Sequence, residues 1–430
     1  MLQIPPDMDS TDRPAPPYDL VVAGGGAAGF FGAVTFAEAH PGGRVVILEK
    51  SHEVLGKVRI SGGGRCNLTH ACFDPLALSR SYPRGAKQLI GPLHRWGPAN
   101  TMEWFESRGV PLKTEDDGRV FPESDCSQSI IDCLVGSARK AGVEVRTSTA
   151  VKAVSRRPDG YYEVTLSDGA PLIARNLLLT LGGTRNPIGA DLARSFGHRI
   201  QTAAPSLFTF KIDDPRITDL QGLSVPDAGV RITGSKLSSS GPVLITHWGL
   251  SGPGILKISA WGARDLQERD YRFEAVVNWT GSRTEEQILA EFTRLRTESP
   301  RKKVLNDSLF GIPTRLWKRL VEAAAGEQDA DSLHWPHLTK STGRKLAEQI
   351  GACRFQVEGK STNKDEFVTC GGIHLSDVDF RTLQSRKCEG LYFAGEILDI
   401  DGITGGFNFQ SAWTTGRIAG EAIAESFRDA

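Results

Sequence analysis

The residues most able to do chemistry sit near the start of the chain, where Gly24-Gly25-Gly26-Ala27-Ala28-Gly29 fits the pattern G-x-G-x-x-G. In that pattern the first glycine makes a tight turn, the second lets backbone approach a diphosphate, and the third lets a helix lie close to a strand. Ala27 and Ala28 then open the helix, whose free N–H groups and dipole favour negative charge. Glu49 follows the last glycine by about 20 residues at a strand end, where a carboxylate binds ribose hydroxyls and disfavours a 2'-phosphate; Lys50 adjoins it. The chemistry implied is nucleotide binding, and a bare turn with Glu49 in solvent is the plainer alternative.

Two further loops carry similar signals. Gly56 to Asn67 (GKVRISGGGRCN) combines Lys57, Ser61, Gly62, Gly63, Arg65, Cys66 and Asn67. Consecutive glycines let backbone lie against a flat or charged ligand, and the two cations suit a diphosphate; a flexible surface loop is the plainer reading. Gly395 to Gln410 joins a strand end to a glycine-rich helix start through Glu396, Asp401, Gly405, Gly406 and Asn408. Backbone N–H groups there suit the electron-rich edge of a reduced flavin, with Asp401 placed for a sugar hydroxyl. Asp399 reads as a helix cap. Gly182-Gly183 ends the apolar run Asn176–Leu181 in another close turn.

Candidates for catalysis are fewer. Cys66 lies in the second loop, yet a lone cysteine more often packs than reacts. His247, in THWGLSGP, is a possible proton donor set against a structural histidine, and Trp248 beside it reads as core. His374 and Arg354 are weaker candidates of the same sort. The seven cysteines are odd in number and form no C-x-x-C pair, which fits neither a disulfide framework nor a zinc site, so no metal is expected and a reducing, cytoplasmic setting is. No Ser-His-Asp elbow or Walker loop occurs.

The elements that must position these residues follow from periodicity. Tyr18–Ala23 and Arg44–Glu49 read as buried parallel strands flanking a helix over Ala27–Ala39, and Leu391–Ala394 with a helix over Gln410–Ser426 reads as the far end of the same sheet. Val143–Thr180 reads as a meander. Strand-like pieces over about 205–275 suggest a small barrel, and Glu286–Arg296, Pro313–Ala325 and Leu338–Ile350 suggest helices within 283–350. The organisation expected is a leader at 1–17, a first Rossmann part at 18–204, an insert at 205–353 and a second part at 354–430. Lys plus Arg equals Asp plus Glu at 51 each, so no overall field steers the chain to polyanions. Arg301-Lys302-Lys303 and Arg315 to Arg319 read as solvated helix faces, with RNA gripping as the sharper alternative. No apolar run is long enough for a membrane span.

Four segments, VVAGGGAAG, GKVRISGGGRCN, THWGLSGP and LYFAGEILDIDGITGGFNFQSAWTTGRIAG, make the chain resemble the BaiN-like, or YhiN-type (aminoacetone oxidase-like), NAD(P)/FAD-dependent oxidoreductases. The resemblance implies an α/β fold: a two-dinucleotide-binding-domain, glutathione-reductase-like FAD Rossmann domain with an inserted β-barrel and helical domain. It places FAD against the glycines above, Glu49, Lys50, Lys57, Arg65, Asn67, Asp401 and Asn408, and adds Val151. The activity it implies is hydride transfer through flavin N5, either reducing an activated C=C bond or oxidising a small amine. With no second G-x-G-x-x-G, NADH or NADPH would enter transiently at the substrate cleft. The rival readings are a flavin-dependent ribosomal RNA dihydrouridine synthase, with ribosomal RNA as partner in place of a small molecule, and a non-catalytic flavin-bound redox sensor.

Overall fold

The computed structural model describes residues 16–169, 171–183, 187–361 and 368–428; the leader expected at 1–17 falls outside these except for Pro16 and Pro17. The central sheet runs, edge to edge, through Val378–Asp379, Gln384–Ser385, Leu391–Phe393, Leu172–Leu179, Tyr18–Ala23, Val45–Leu48 and Glu144–Arg146. Its heart is parallel: Val22 lies opposite Ile47 on one side and Leu178 on the other, and Leu178 opposite Tyr392. Such strands are covered on both faces, which is why YDLVVA and VVIL are continuous apolar runs. The meander read over Val143–Thr180 is correct for Val151–Arg156, Tyr162–Leu166 and Leu172–Leu179. Glu144–Arg146 departs from it, pairing parallel with Val45–Leu48.

The opening helix, Ala27–Ala39, is apolar nearly all round and buried from Ala28 to Ala37, as an internal helix must be. It packs on the closing helix, Phe407–Glu425. Small residues permit the approach: a Cβ on Gly416 would stand 2.6 Å from the Ala28 carbonyl oxygen, and one on Gly420 would stand 2.5 Å from that of Gly32. The two ends of the chain thus meet as one layer over the sheet.

Between them lies a unit with its own core. Its seven-stranded sheet runs Cys353–Val357, Phe273–Asn278, Ser224–Ile232, Ser238–Thr246, Gly249–Ser251, Thr209–Lys211, Gly359–Ser361. The first and last strands of that order are separated by Glu358 alone, so the sheet curls on itself. Helices Glu285–Glu298, Thr314–Ala325 and Lys340–Gly351 bury Trp317 and Trp335 with Trp279. The indole N–H of Trp317 donates to the Val304 carbonyl at 2.7 Å, satisfying its one polar atom. Trp248, read as core, is instead 59% exposed, because it sits at the turn between the strands Ser238–Thr246 and Gly249–Ser251. The strands Ile200–Ser206 and Val368–Ile373 pair antiparallel where the chain enters and leaves this unit.

Candidate functional site

A cleft of about 1310 Å³ runs from the glycine turn at the opening strand to the inserted unit. This exceeds the roughly 300–1,000 Å³ of an ordinary small-molecule site and suits a long dinucleotide beside a substrate. At its near end the three motif glycines answer to two demands. Gly24 has φ +113° and a Cβ there would lie 2.4 Å from the Thr180 oxygen, while a Cβ on Gly29 would lie 2.0 Å from the Gly24 oxygen. Both are demanded by packing. Gly26, at φ −92°, needs no special backbone, and a Cβ there would meet nothing within 4 Å; its bareness keeps space open in front of the helix. No side chain caps that helix, so its first N–H groups face the cleft unsatisfied, the arrangement that receives a diphosphate. Glu49 accepts from the backbone N–H groups of Gly25 and Ser51, both at 2.9 Å, which fixes its carboxylate in the cleft wall.

Midway, Lys57 and Glu396 form an ion pair, and the second Glu396 oxygen accepts from the Thr369 N–H at 2.8 Å. The triple glycine then takes its shape from φ values of +57°, +69° and +85° at Gly62, Gly63 and Gly64, a left-handed run that other residues resist. It delivers Asn67, whose amide, in the orientation that satisfies both its atoms, accepts from Gly406 N–H and donates to Thr69 oxygen, each at 3.1 Å. Asn408 braces the last turn by exchanging two hydrogen bonds with Gly402 at 2.8 and 2.9 Å. The closing helix also starts without a side-chain cap.

The cleft brings together most of the residues singled out from sequence. Gly24, Gly26, Ala27, Ala28, Glu49 and Lys50 line one end, and Val151 lies nearby. Lys57, Gly182, Gly395 and Glu396 line the middle, and Ser61, Gly62, Asn67, Gly405, Gly406 and Asn408 the other end. The structure places the rest elsewhere. Gly29 packs under the turn, and Gly63 is outside the lining. Arg65 pairs with Glu115 at 2.7 Å and stacks 4.0 Å over Phe121. Gln410 is buried with Thr69 and Thr414 as partners. Asp401 is wholly buried and receives Arg84 at both oxygens and the Ser206 hydroxyl at 2.8 Å. Arg84 also donates to the Ala260 carbonyl at 2.6 Å, so this pair rivets the inserted unit to the Rossmann unit. Burial raises the Asp401 carboxyl above its ordinary range, even beside a guanidinium.

Neither catalytic candidate stands in the cleft lining. Cys66 is fully buried, and burial pushes its thiol up to about 12, so it carries no thiolate at neutral pH. His247 is exposed at the turn beside Trp248. Sequence reasoning missed Arg119 and Phe121, Leu207 and Leu256, and Ile403 with Thr404, all of which line the cleft. The signal at the first pair was the alternation in Arg119–Pro122 (RVFP), an antiparallel strand beside Thr69–His70. Arg119 and Phe121 share a face of that strand, with the guanidinium 5.5 Å from the ring. Leu207 and Leu256 come from the inserted unit and carry no local signal.

These residues fit FAD: open space at Gly26, a helix start free to bind a diphosphate, a carboxylate held in place beside it, and a second free helix start at the far end. Among the described residues no helix is long and apolar enough to cross a membrane.

Comparison with known proteins agrees. The family model described as HI0933-like protein Rossmann domain matches residues 18–422. The chain is 29% identical over 416 residues to the 3-dehydro-bile acid delta(4,6)-reductase of Clostridium scindens, covering 94% of this chain and 98% of that one. It is 28% identical over 408 residues to the ribosomal RNA dihydrouridine synthase of Escherichia coli, covering 93% and 96%. In structure it is similar to the 3-ketosteroid-delta4-(5alpha)-dehydrogenase of Rhodococcus jostii, with TM-score 0.54 over 96% and 98% of the two chains. At 15% identity that likeness speaks for the fold alone.

Proposed function

This chain belongs to the HI0933-like Rossmann-domain family and is an FAD-dependent oxidoreductase, and from that premise we propose that it reduces a carbon–carbon double bond conjugated to a carbonyl group, using NADH or NADPH. The observation that carries this reading is the make-up of the cleft's far end. Phe121, Leu207, Leu256 and Ile403 supply apolar walls around a single guanidinium, Arg119, which Asp117 holds at Nε and Glu115 at one terminal nitrogen, each at 2.7 Å. An apolar wall seats a planar unsaturated ring, and a guanidinium donates to its carbonyl oxygen, where negative charge grows as the double bond is reduced. Both relatives support the same reaction type, since a delta(4,6)-reductase and a dihydrouridine synthase each name the addition of two hydrogens across a ring double bond. Amine oxidation has no such support.

The chain's own residues have defined tasks in this reading. The uncapped opening helix and Gly26 hold the diphosphate, Glu49 the ribose, and the Asn67–Gly406 contact the loop at the reactive end. Bound FAD supplies hydride transfer at its N5 atom. Arg119 orients the acceptor carbonyl, and the inserted unit's leucines exclude water from it.

The test is anaerobic. The purified yellow protein is mixed with NADH and NADPH separately, and the bleached flavin is then offered a 4-en-3-one steroid and uridine-containing RNA. Reoxidation with a product two hydrogens heavier supports the proposal. A flavin that neither nicotinamide reduces, or that only dioxygen reoxidises, overturns it and returns the redox-sensor reading.

A further inference from the structure

The seam between the inserted unit and the Rossmann unit is held by charge where apolar packing is thin. The strands Ile200–Ser206 and Val368–Ile373 meet helix Ala263–Glu268 through a cluster of three small buried residues, Ala204, Ala263 and Cys370. Burial of that kind is non-directional and fixes no register.

Two arginine–aspartate pairs supply the direction, one arginine from each unit. Arg264, on the inserted unit, donates to both oxygens of Asp399 at 2.8 and 2.9 Å, and Asp399 also accepts from the Gly371 N–H at 3.1 Å. Arg84, on the Rossmann unit, grips Asp401 through Nε and one terminal nitrogen, and its other terminal nitrogen donates to the Ala260 carbonyl at 2.6 Å. Ala260 lies in the last turn of helix Pro253–Trp261, where carbonyl groups carry partial negative charge and favour a cation.

The groups held by the Arg84–Asp401 pair all adjoin the cleft. Asp401 follows Ile400 and precedes Ile403 by two residues; Ser206, whose hydroxyl donates to Asp401 at 2.8 Å, precedes Leu207; Ala260 lies about one helical turn beyond Leu256. Ile400, Ile403, Leu207 and Leu256 line the cleft, so one buried ion pair sets the spacing of apolar walls drawn from three separate stretches of chain. Leu207 is held at φ +57°, a backbone conformation that leucine resists. Beside Arg84, a Cβ on Gly85 would stand 2.5 Å from the Ile400 side chain, so this wall has no slack on the Rossmann side.

As a source of stability such a pair is weak, because desolvating both charges offsets most of their attraction. What it supplies is geometry: a planar guanidinium fork fits one arrangement, where a lysine is a mobile point charge. We propose that Arg84 is a positioning residue that, through Asp401, sets the width of the slot admitting the acceptor and so selects conjugated ketones by the breadth of their ring system. The inference rests on the reaction proposed above and adds to it the residue that decides which acceptor is reduced.

The experiment compares the FAD-loaded wild type, R84K and R84M/D401N. Each is reduced photochemically without oxygen and mixed with a 4-en-3-one steroid or with cyclohexenone, and flavin reoxidation is followed by absorbance. R84M/D401N removes both charges together, so neither is left buried alone; R84K keeps the charge and loses the fork. A steroid spans the opposed walls and a single ring does not. In R84M/D401N the steroid rate should therefore fall by at least about 10-fold and the cyclohexenone rate by less than about threefold, with R84K between it and the wild type. Reoxidation by dioxygen, which needs no slot, should be unchanged. Wild-type selectivity in both variants overturns the proposal. So do equal losses with both ketones and dioxygen, or a melting temperature that falls in step with the steroid rate, since either makes the pair plain scaffolding. Should R84M/D401N not retain FAD, R84K decides by the same steroid-to-cyclohexenone ratio. A wild type whose reduced flavin neither ketone reoxidises strikes the reaction itself, and the selectivity with it.

Discussion

The opening and closing helices both begin at a glycine, and no side chain caps either. At Gly26 an added Cβ would enter open space; at Gly406, with φ +90°, it would stand 2.4 Å from the Thr69 carbonyl oxygen. One glycine keeps room for a ligand, while the other lets protein meet protein. The same residue type in the same motif position thus answers to two different physical demands, and only the structure separates them.

The largest effect expected lies at the closing helix's end of the cleft. Arg119→Gln should lower turnover of a conjugated carbonyl substrate by about 10²-fold while leaving the flavin spectrum intact; an unchanged kcat would detach this end from the chemistry. Next, Gly406→Ala should cost about 1–3 kcal/mol in thermal or urea unfolding, from crowding on Thr69 and a strained φ. Gly26→Ala should leave the unfolding of the flavin-free protein within about 0.5 kcal/mol yet weaken FAD by about 10-fold, or about 1.4 kcal/mol, measured by titrating FAD back. Reversal of that pair of outcomes would break the contrast. A smaller effect belongs to Asp377, buried beneath the sheet edge that leads to the closing helix. Hydrogen bonds from Arg199, and then Lys387, hold its carboxyl well below the ordinary carboxylate range. Its contribution is therefore complete above the unfolded value near 4 and is lost as pH falls below it. The wild type should lose melting temperature more steeply below about pH 4 than Asp377→Asn does. The smallest change is expected for Cys66→Ala, with turnover within about twofold of wild type, because a buried neutral thiol is no nucleophile.

Much of the fold class was legible in the sequence because the Rossmann elements advertise themselves locally. The strand Tyr18–Ala23 and the helix Ala27–Ala39 were read to the residue, and the helices of the inserted unit to within two at each end. Glycine runs likewise marked three of the backbone segments that line the cleft. Side chains that depend on distant partners gave less away. Arg65 and Gln410 look like ligand groups in a glycine-rich context, yet Glu115 and Thr69 claim them. Asp401 appears available until Arg84, 317 residues earlier, closes on it. Leu207 and Leu256 reach the cleft only through the docking of one unit on another, which no periodicity records. Trp248 shows the converse, an apolar residue read as core whose turn leaves it in solvent.

The glycine seam between the opening and closing helices has a consequence for biosynthesis. Its two halves leave the ribosome far apart in time, with an independently cored unit made in between. At roughly 5–20 residues per second the first βα unit waits on the order of 20–80 s for its partner. During that wait its apolar helix is unsheltered, a natural client for a holding chaperone. A nascent chain halted before Phe407 would have no layer to complete, and would emerge colourless.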